Sequence, residues 1–584
     1  MNATDATRAI GVGRASKRRL SAFEWVSLGL GGLMAAIFLY TVFMVLFRSF
    51  WVDGRLDFAG FLAAFQLRGL WTAVTNTVII VVIAGAISVV IGTLMAWLNE
   101  RTDARMGVLG TVLPIVPLLL PPIALSIGWY TLTERTVGYL NSAIRGVMPW
   151  IGDTGPFDIA TWPGLIMVYV LYEVPFVYLT VSAAFRNVNP ALEEASRVSG
   201  AGRIRTLFKV SLPAVRPAIA ASFLLVTLSA FALYSVPVII GTAAKIDALP
   251  VFIVQLIRAT TPSKTTEATS ISLIMMTILF LLWLVQQRIS RGRNFDKIGG
   301  KATAVSLVRL GAWKLPARIL MFGYVALASV LPLIGLVILS LSKFWGKTID
   351  WGNLSFDNYV TLLVTDVNSR TSLINSLGLG FVGATLGMAI AAIIMTQAAA
   401  SGGWFKKFLS FVTTAPGAVP HIILAIGILA GFSGSPFFLY GTVIILLVAY
   451  VVMNLPQASL QAGSAIQQIG GELMEASSMS GASRSRTFWR VTFPLMLPGL
   501  ASGWAMLFVL MVGDLTASAL LAGSRNPVVG FVILGIWENG LVVRLAALAV
   551  VLCLICGTVI CAALILARQL GKTTTSRKKK GSKR

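Results

Sequence analysis

The stretch EEASRVSGAGRIRTLFKVSLPAVRP, residues 193–217, is polar, basic and broken by glycine, yet apolar runs flank it on both sides. Its pattern returns as MEASSMSGASRSRTFWRVTFPLMLP, residues 474–498. Glu194, Ala195, Ser196, Gly200, Ala201, Arg203, Arg205, Thr206, Val210, Pro213 and Pro217 match Glu475, Ala476, Ser477, Gly481, Ala482, Arg484, Arg486, Thr487, Val491, Pro494 and Pro498, all at an offset of 281. So many identities in one register mark a duplicated element.

The duplication extends outward. Asn76 and Asn375, Pro117 and Pro416, Pro121 and Pro420, and Gly128 and Gly427 stand 299 apart, whereas Pro175 and Pro456 stand 281 apart. The difference of 18 residues is an insertion in the first half between Gly128 and Pro175, where TERTVGYLNSAIRGVMPWIGDTGPFDIATW is polar enough for an extracytoplasmic loop.

The chain is 584 residues long, 57% hydrophobic and only 12% charged, with a mean hydropathy of +0.84, which excludes a soluble globular protein of this length. Runs of about 20 apolar residues can cross the bilayer as helices. They fall near 24–48, 72–98, 107–132, 161–185, 214–240 and 268–288, then 317–342, 372–397, 407–433, 438–462, 495–522 and 543–567. The expected fold is an all-α integral membrane protein with about twelve transmembrane helices in two parallel six-helix repeats. Such repeats imply a pseudo-two-fold axis along the membrane normal, with a solute path between the halves. The expected organisation is a basic segment 1–23, a first unit 24–288 with a polar loop 186–212, a basic linker 289–316, a second unit 317–567 with a polar loop 464–494, and a basic tail 568–584.

A net charge of +25 raises the question of nucleic acid, but the charge forms no binding stripe. It gathers at Arg8, Arg14, Lys17, Arg18 and Arg19, at Arg288, Arg291, Arg293, Lys297 and Lys301, and from Lys572 to Arg584. With twelve spans these segments and both repeated loops share one face, which the positive-inside rule assigns to the cytoplasm, beside anionic lipid. The first apolar run is too long for a cleaved signal peptide and is expected to stay as an anchor. Cys553, Cys556 and Cys561 mimic a metal or redox spacing, but without ligands nearby they are read as packing residues of the last helix.

Asn189 followed by Pro190 is a helix start, and Gly200 supplies the left-handed residue that stops the helix. Residues 203–210 can form a second short helix before Pro213 opens the next span. The expected element is an elbow of two short helices. Small residues at Ala195, Ser196 and Ser199 allow close approach, and Glu194 offers a carboxylate to a basic partner. Two copies, with Glu475, Ala476, Ser477 and Gly481 in the second, suit docking onto a paired partner.

The pattern E-A-x-x-x-x-G, then a branched aliphatic residue ten positions on, then x, an apolar residue and proline, resembles the signature of binding-protein-dependent ABC importer permeases. It is carried by Glu194, Ala195, Gly200, Val210, Leu212 and Pro213, and again by Glu475, Ala476, Gly481, Val491, Phe493 and Pro494. Ser196 and Ser477 stand where alanine is usual, and Phe493 where leucine is usual. The resemblance implies that each elbow is a coupling helix seated on one of two cytoplasmic ATPase subunits, and that an extracytoplasmic solute-binding protein delivers the solute. It also implies a bacterial inner-membrane location, with no cofactor in this chain and ATP and Mg held by the ATPase. The segments PPIALSIGWY, VPFVYLTVSAAFRNVNPALEEASRVSGAG and DLTASALLAGSRNPVVG are most similar to ferric-iron importer permeases; relatives of the same design serve thiamine, 2-aminoethylphosphonate and polyamines.

The residues themselves agree that ATP is handled elsewhere. The GKT triplets at Gly346 and Gly571 have Leu341 and Leu566 where a phosphate-binding loop needs glycine. Within the spans Glu173, Asp514, His421 and Asn454 are the polar groups that attract a functional reading, because burying such groups in hydrocarbon is costly. Each has two readings, as a lining or gate of the path or as an interhelical hydrogen-bonding group. A secondary carrier would need more intramembrane charge and no doubled elbow.

Overall fold

In the computed structural model, residues 21–581 are described apart from 53, 108, 111–112, 261–262, 292–306 and 470. Arg8, Arg14, Lys17, Arg18, Arg19, Arg293, Lys297, Lys301, Lys583 and Arg584 lie outside the described residues. The first half contains α1 (Ala22–Phe50), α2 (Leu70–Arg101), α3 (Pro122–Thr133), α4 (Trp162–Asn187), α5 (Pro190–Val198), α6 (Arg203–Ala232), α7 (Leu249–Arg258) and α8 (Thr265–Arg291). The second contains α9 (Gly311–Leu341), α10 (Val367–Ala400), α11 (Gly403–Ala418), α12 (His421–Phe432), α13 (Val443–Gln467), α14 (Gly471–Met479), α15 (Arg484–Val512), α16 (Val529–Glu538) and α17 (Val542–Gly581). A two-stranded hairpin, Trp51–Val52 with Arg55–Leu56, accompanies them.

Ten helices among the described residues are long and apolar enough to cross a membrane. The two other expected spans, 107–132 and 407–433, are not single helices. In the second half α11 and α12 meet at a bend of 102°. In the first, a 3-10 turn at Leu113–Leu119 precedes α3. The breaks fall at the repeated prolines Pro117, Pro121, Pro416 and Pro420, where the missing N–H and the ring clash interrupt the helical ladder.

The expected spans 214–240 and 495–522 shift the other way. α6 and α15 each begin about ten residues earlier, and the second short helix of the elbow is the first turn of the span itself. Proline does not open a new helix here, because a π turn absorbs it: Leu207–Ser211 precedes Pro213, and Phe488–Thr492 precedes Pro494. The same device at Ala326–Val330 precedes Pro332 in α9. A widened turn removes the clash with the carbonyl four residues back while the helix continues.

In each half three long helices pack together, α2 with α4 and α6, and α10 with α13 and α15. The first helices are exchanged. α1 packs between its own α8 and the other half's α12, while α9 packs between its own α17 and the other half's α3. The repeated glycines explain the close crossing: a Cβ at Gly128 would lie 2.5 Å from the Pro332 carbonyl oxygen, and one at Gly427 would lie 2.6 Å from Thr41 Cγ2. Tyr40 Oη donates to the Gly431 carbonyl at 3.0 Å, and Trp129 Nε1 donates to Leu327 at 3.1 Å, so polar contacts back up both crossings.

Pro175 lies inside α4 and leaves the Leu171 carbonyl without its helical donor. Tyr324 Oη, on the exchanged α9, donates to that carbonyl at 2.8 Å. An unsatisfied carbonyl in hydrocarbon is costly, so the helix exchange repairs the defect that proline creates. The 18-residue insertion includes a helix at Tyr139–Val147 and lies over the end of α9, held by Tyr139 Oη against Ser342 Oγ at 3.4 Å and by Lys347 with Asp153 at 3.1 Å.

Candidate coupling elbows and interior polar groups

Both elbows, the start of α1 and the entry to α9 gather at one end of the molecule. Glu24 pairs with Arg484 at 2.8 Å, and Lys314 pairs with Asp103 at 3.9 Å. In the first elbow Asn189 Oδ1 accepts the Ala191 N–H at 3.0 Å, and Pro190 occupies the first helical turn. Gly200 and Gly481 sit at φ +80° and +74°, the left-handed region where a side chain would be strained.

The site residues read from the sequence divide by exposure. Glu194, Ala195 and Gly200 are exposed, as are Glu475, Ala476 and Gly481, whereas Ser196 and Ser477 are half-buried. Ser196 Oγ bonds Thr206 Oγ1 at 3.0 Å, and Ser477 Oγ bonds Thr487 Oγ1 at 2.8 Å. Each serine therefore ties its elbow helix to the first turn of the following span. The signal for this was the repeated Thr206 and Thr487, matched ten residues beyond the serines.

Two features escaped the sequence reading. Val198 and Met479, equivalent in the repeat, are each 89% exposed, and Leu192 and Leu473, also equivalent, are exposed beside them. Apolar side chains thus project at the same two places on both elbows. The other feature is Glu193, buried next to exposed Glu194. It accepts Ser211 Oγ at 2.7 Å and faces Arg101 Nη1 at 3.7 Å. Arg101, 2% exposed, also donates to the Phe185 and Val188 carbonyls at the open end of α4. One guanidinium thereby joins the ends of α2 and α4 to the elbow.

The interior polar groups fall in separate places. Glu173 Oε1 accepts Ser229 Oγ at 2.9 Å across α4 and α6, while its Oε2 is buried with no hydrogen-bond partner among the described residues. Asn454 donates to the Tyr450 carbonyl one turn back at 2.9 Å, and His421 opens α12 directly after the break at Pro420. Asp514 Oδ2 accepts the N–H groups of Ala517 at 2.9 Å and Ser518 at 3.2 Å, capping the helix Thr516–Leu521. Among the described residues no hydrogen bond joins any two of these four.

Asn76 and Asn375 have a clear task. Asn76 donates to the Asp247 carbonyl at 3.0 Å and Asn375 to the Pro527 carbonyl at 2.8 Å, while the adjacent Thr77 and Ser376 hydroxyls accept the N–H of Leu249 and Val529, each at 2.8 Å. The short helices α7 and α16 thus hang from α2 and α10 by the same two contacts.

Residues 58–293 and 383–570 match the family described as binding-protein-dependent transport system inner membrane component. The chain belongs to that family. It carries the family's unit twice, as a fused ABC importer permease that crosses the inner membrane several times. It is 25% identical over 527 residues, 88% of this chain and 74% of the relative, to the ferric transport system permease protein FbpB of Actinobacillus pleuropneumoniae. It is 22% identical over 470 residues, 80% of this chain and 83% of the relative, to the Fe(3+)-transport system permease protein FbpB 2 of Haemophilus influenzae. PhnV of Salmonella typhi, named for 2-aminoethylphosphonate transport, is 27% identical over 225 residues, 38% of this chain and 83% of the relative.

Proposed function

We propose that this permease carries ferric iron inward, received from an extracytoplasmic binding protein and driven by two ATPase subunits that hold ATP and Mg and dock on the two elbows. The observation that carries the coupling is the duplication of Val198 and Met479, exposed apolar side chains at equivalent tips of a conserved-geometry elbow. An exposed apolar tip flanked by Glu194 or Glu475 fits a partner groove with an apolar floor and a basic rim. The elbows, both ends of the chain and the linker then face the cytoplasm, with units 24–288 and 317–567 forming the two walls of the path.

Ferric iron rests on the two relatives named for it, each aligned over most of its length. Selectivity belongs chiefly to the binding protein on this reading, because among the described residues no hydrogen bond gathers Glu173, Asn454, Asp514 and His421 into one site. Glu173, whose second oxygen has no hydrogen-bond partner among the described residues, is the first interior candidate for the path; His421 follows, then Asn454 and Asp514, which are already engaged with backbone groups. The second reading, 2-aminoethylphosphonate, is favoured by the PhnV similarity. Proteoliposomes holding the chain, its ATPase and its binding protein should take up radioactive Fe(III) only with internal ATP. Uptake of 2-aminoethylphosphonate in place of iron moves the assignment to the second reading, and iron uptake without ATP would remove the coupling.

A further inference from the structure

We infer that Arg258 and Glu538 form a charged latch across the outer mouth of the path, where the two halves meet around the pseudo-two-fold axis. The inference rests on the reading that solute passes between the halves. It begins with register: α7 and α16 are equivalent helices, and Leu249, the first residue of one, stands 280 before Val529, the first of the other. Arg258 and Glu538, their last residues, stand at the same offset and therefore occupy one position of the repeat.

Their side chains approach to 3.9 Å, Arg258 Nη1 to Glu538 Oε1. Two points related by a two-fold axis are separated by twice their distance from it. Equivalent residues in contact must therefore sit almost on the axis, where a central path would open. A symmetric pair of identical units would put like charges there and repel. Fusing two units that have diverged permits a cation opposite an anion.

Arg258 grips the other half twice, since its guanidinium also lies 5.7 Å from the centre of the Phe531 ring on α16. Beneath the pair is a cavity of about 420 Å³, lined by Tyr130, Tyr234, Val254, Gln255 and Trp537 together with the two charged residues. Tyr130 and Trp537 close it edge to face across the halves, with ring centres 5.1 Å apart. This end lies opposite the elbows, because α6 runs from its elbow to Ala232 before the chain reaches α7.

The latch suits opening and closing. Its pair is partly exposed, 27% for Arg258 and 60% for Glu538, so water competes for both ions and the bond is readily broken. The backbone on either side is firm, since Asn76 with Thr77 and Asn375 with Ser376 fix the opposite ends of α7 and α16. Separation of the halves would then part the tips as two rigid arms and admit solute to the cavity.

The test uses the full chain in intact cells, with Val254→Cys placed in the cavity wall and labelled from outside in parallel by cationic and anionic membrane-impermeant methanethiosulfonates, whose rates are averaged on a logarithmic scale so that the charge of the mouth itself cancels. Cys553, Cys556 and Cys561 set the background in the parent chain. Arg258→Glu and Glu538→Arg each oppose like charges across the mouth and should speed labelling by about tenfold or more. The swap Arg258→Glu with Glu538→Arg should return it to the slow rate, which misfolding would not allow. Single variants that label at the parent rate, or a swap that labels as fast as they do, would overturn the latch. Labelling requires neither ATP nor a partner chain, so its outcome is separate from that of the iron-uptake experiment.

Discussion

The two elbows share a sequence and differ in what holds them. The first is anchored from below: Glu193 is buried against Arg101 and Ser211, and Arg101 caps the end of α4. At the equivalent positions the second has Met474, Ala400 and Thr492, and the Thr492 hydroxyl is buried with no hydrogen-bond partner among the described residues. The second is held from the side by the first half. Glu24, the acidic member of a capping box with Ser21, pairs with Arg484, and the Phe23 ring lies 5.0 Å from that of Phe488. Duplication preserved the shape of the elbow while its attachment diverged. One elbow is anchored in its own half, and the other is tied to the exchanged helix α1.

That contrast can be broken at several points. The largest effect is expected from Arg101→Ala, which strands the Glu193 carboxylate and uncaps α4; breaking a buried pair in this way costs about 3–5 kcal/mol. Denaturant unfolding of the purified chain should show the loss, and Arg101→Met with Glu193→Met should recover most of it. A loss no larger than that of a surface substitution would remove the anchor from the account.

Next is the matched pair Ser211 and Thr492. Ser211→Ala loses a hydrogen bond to a charged acceptor, about 1.5–3 kcal/mol, whereas Thr492→Val removes a hydroxyl with no partner and should be neutral or slightly stabilising. Equal effects would mean that the elbows are held alike. Ser196→Ala and Ser477→Ala, which restore the residue usual in the family, should each cost about 0.5–1.5 kcal/mol and loosen both elbows equally, read as faster amide exchange over 190–206 and 471–487. Smallest is Glu24→Gln, about 0.2–1 kcal/mol, because the amide keeps an oxygen that accepts from Arg484 and from the Ser21 N–H, with faster exchange confined to the second elbow.

Much of this was legible in the sequence where identity was conserved between halves. The glycine that ends each elbow, the repeated glycines that admit the exchanged helices, and the Asn76 and Asn375 that suspend α7 and α16 all appear as matches. Features that depend on difference were hidden. Glu193 and Glu194 are adjacent and chemically identical, and only the helical turn decides that one is buried and the other exposed. Arg258 and Glu538 escape a search for identities because opposite charges are what bring them together. Prolines misled in both directions: Pro121 and Pro420 lie where two apparent spans break, whereas Pro213 and Pro494 sit in continuous helices behind π turns.

The most direct test of the central claim is a subunit count by native mass spectrometry on the complex purified through this chain. Two ATPase subunits are expected on the unaltered chain, one after either Val198→Asp or Met479→Asp, and none after both. Retention of both ATPases by the double variant, or their absence from the unaltered chain, would contradict docking through the two elbows.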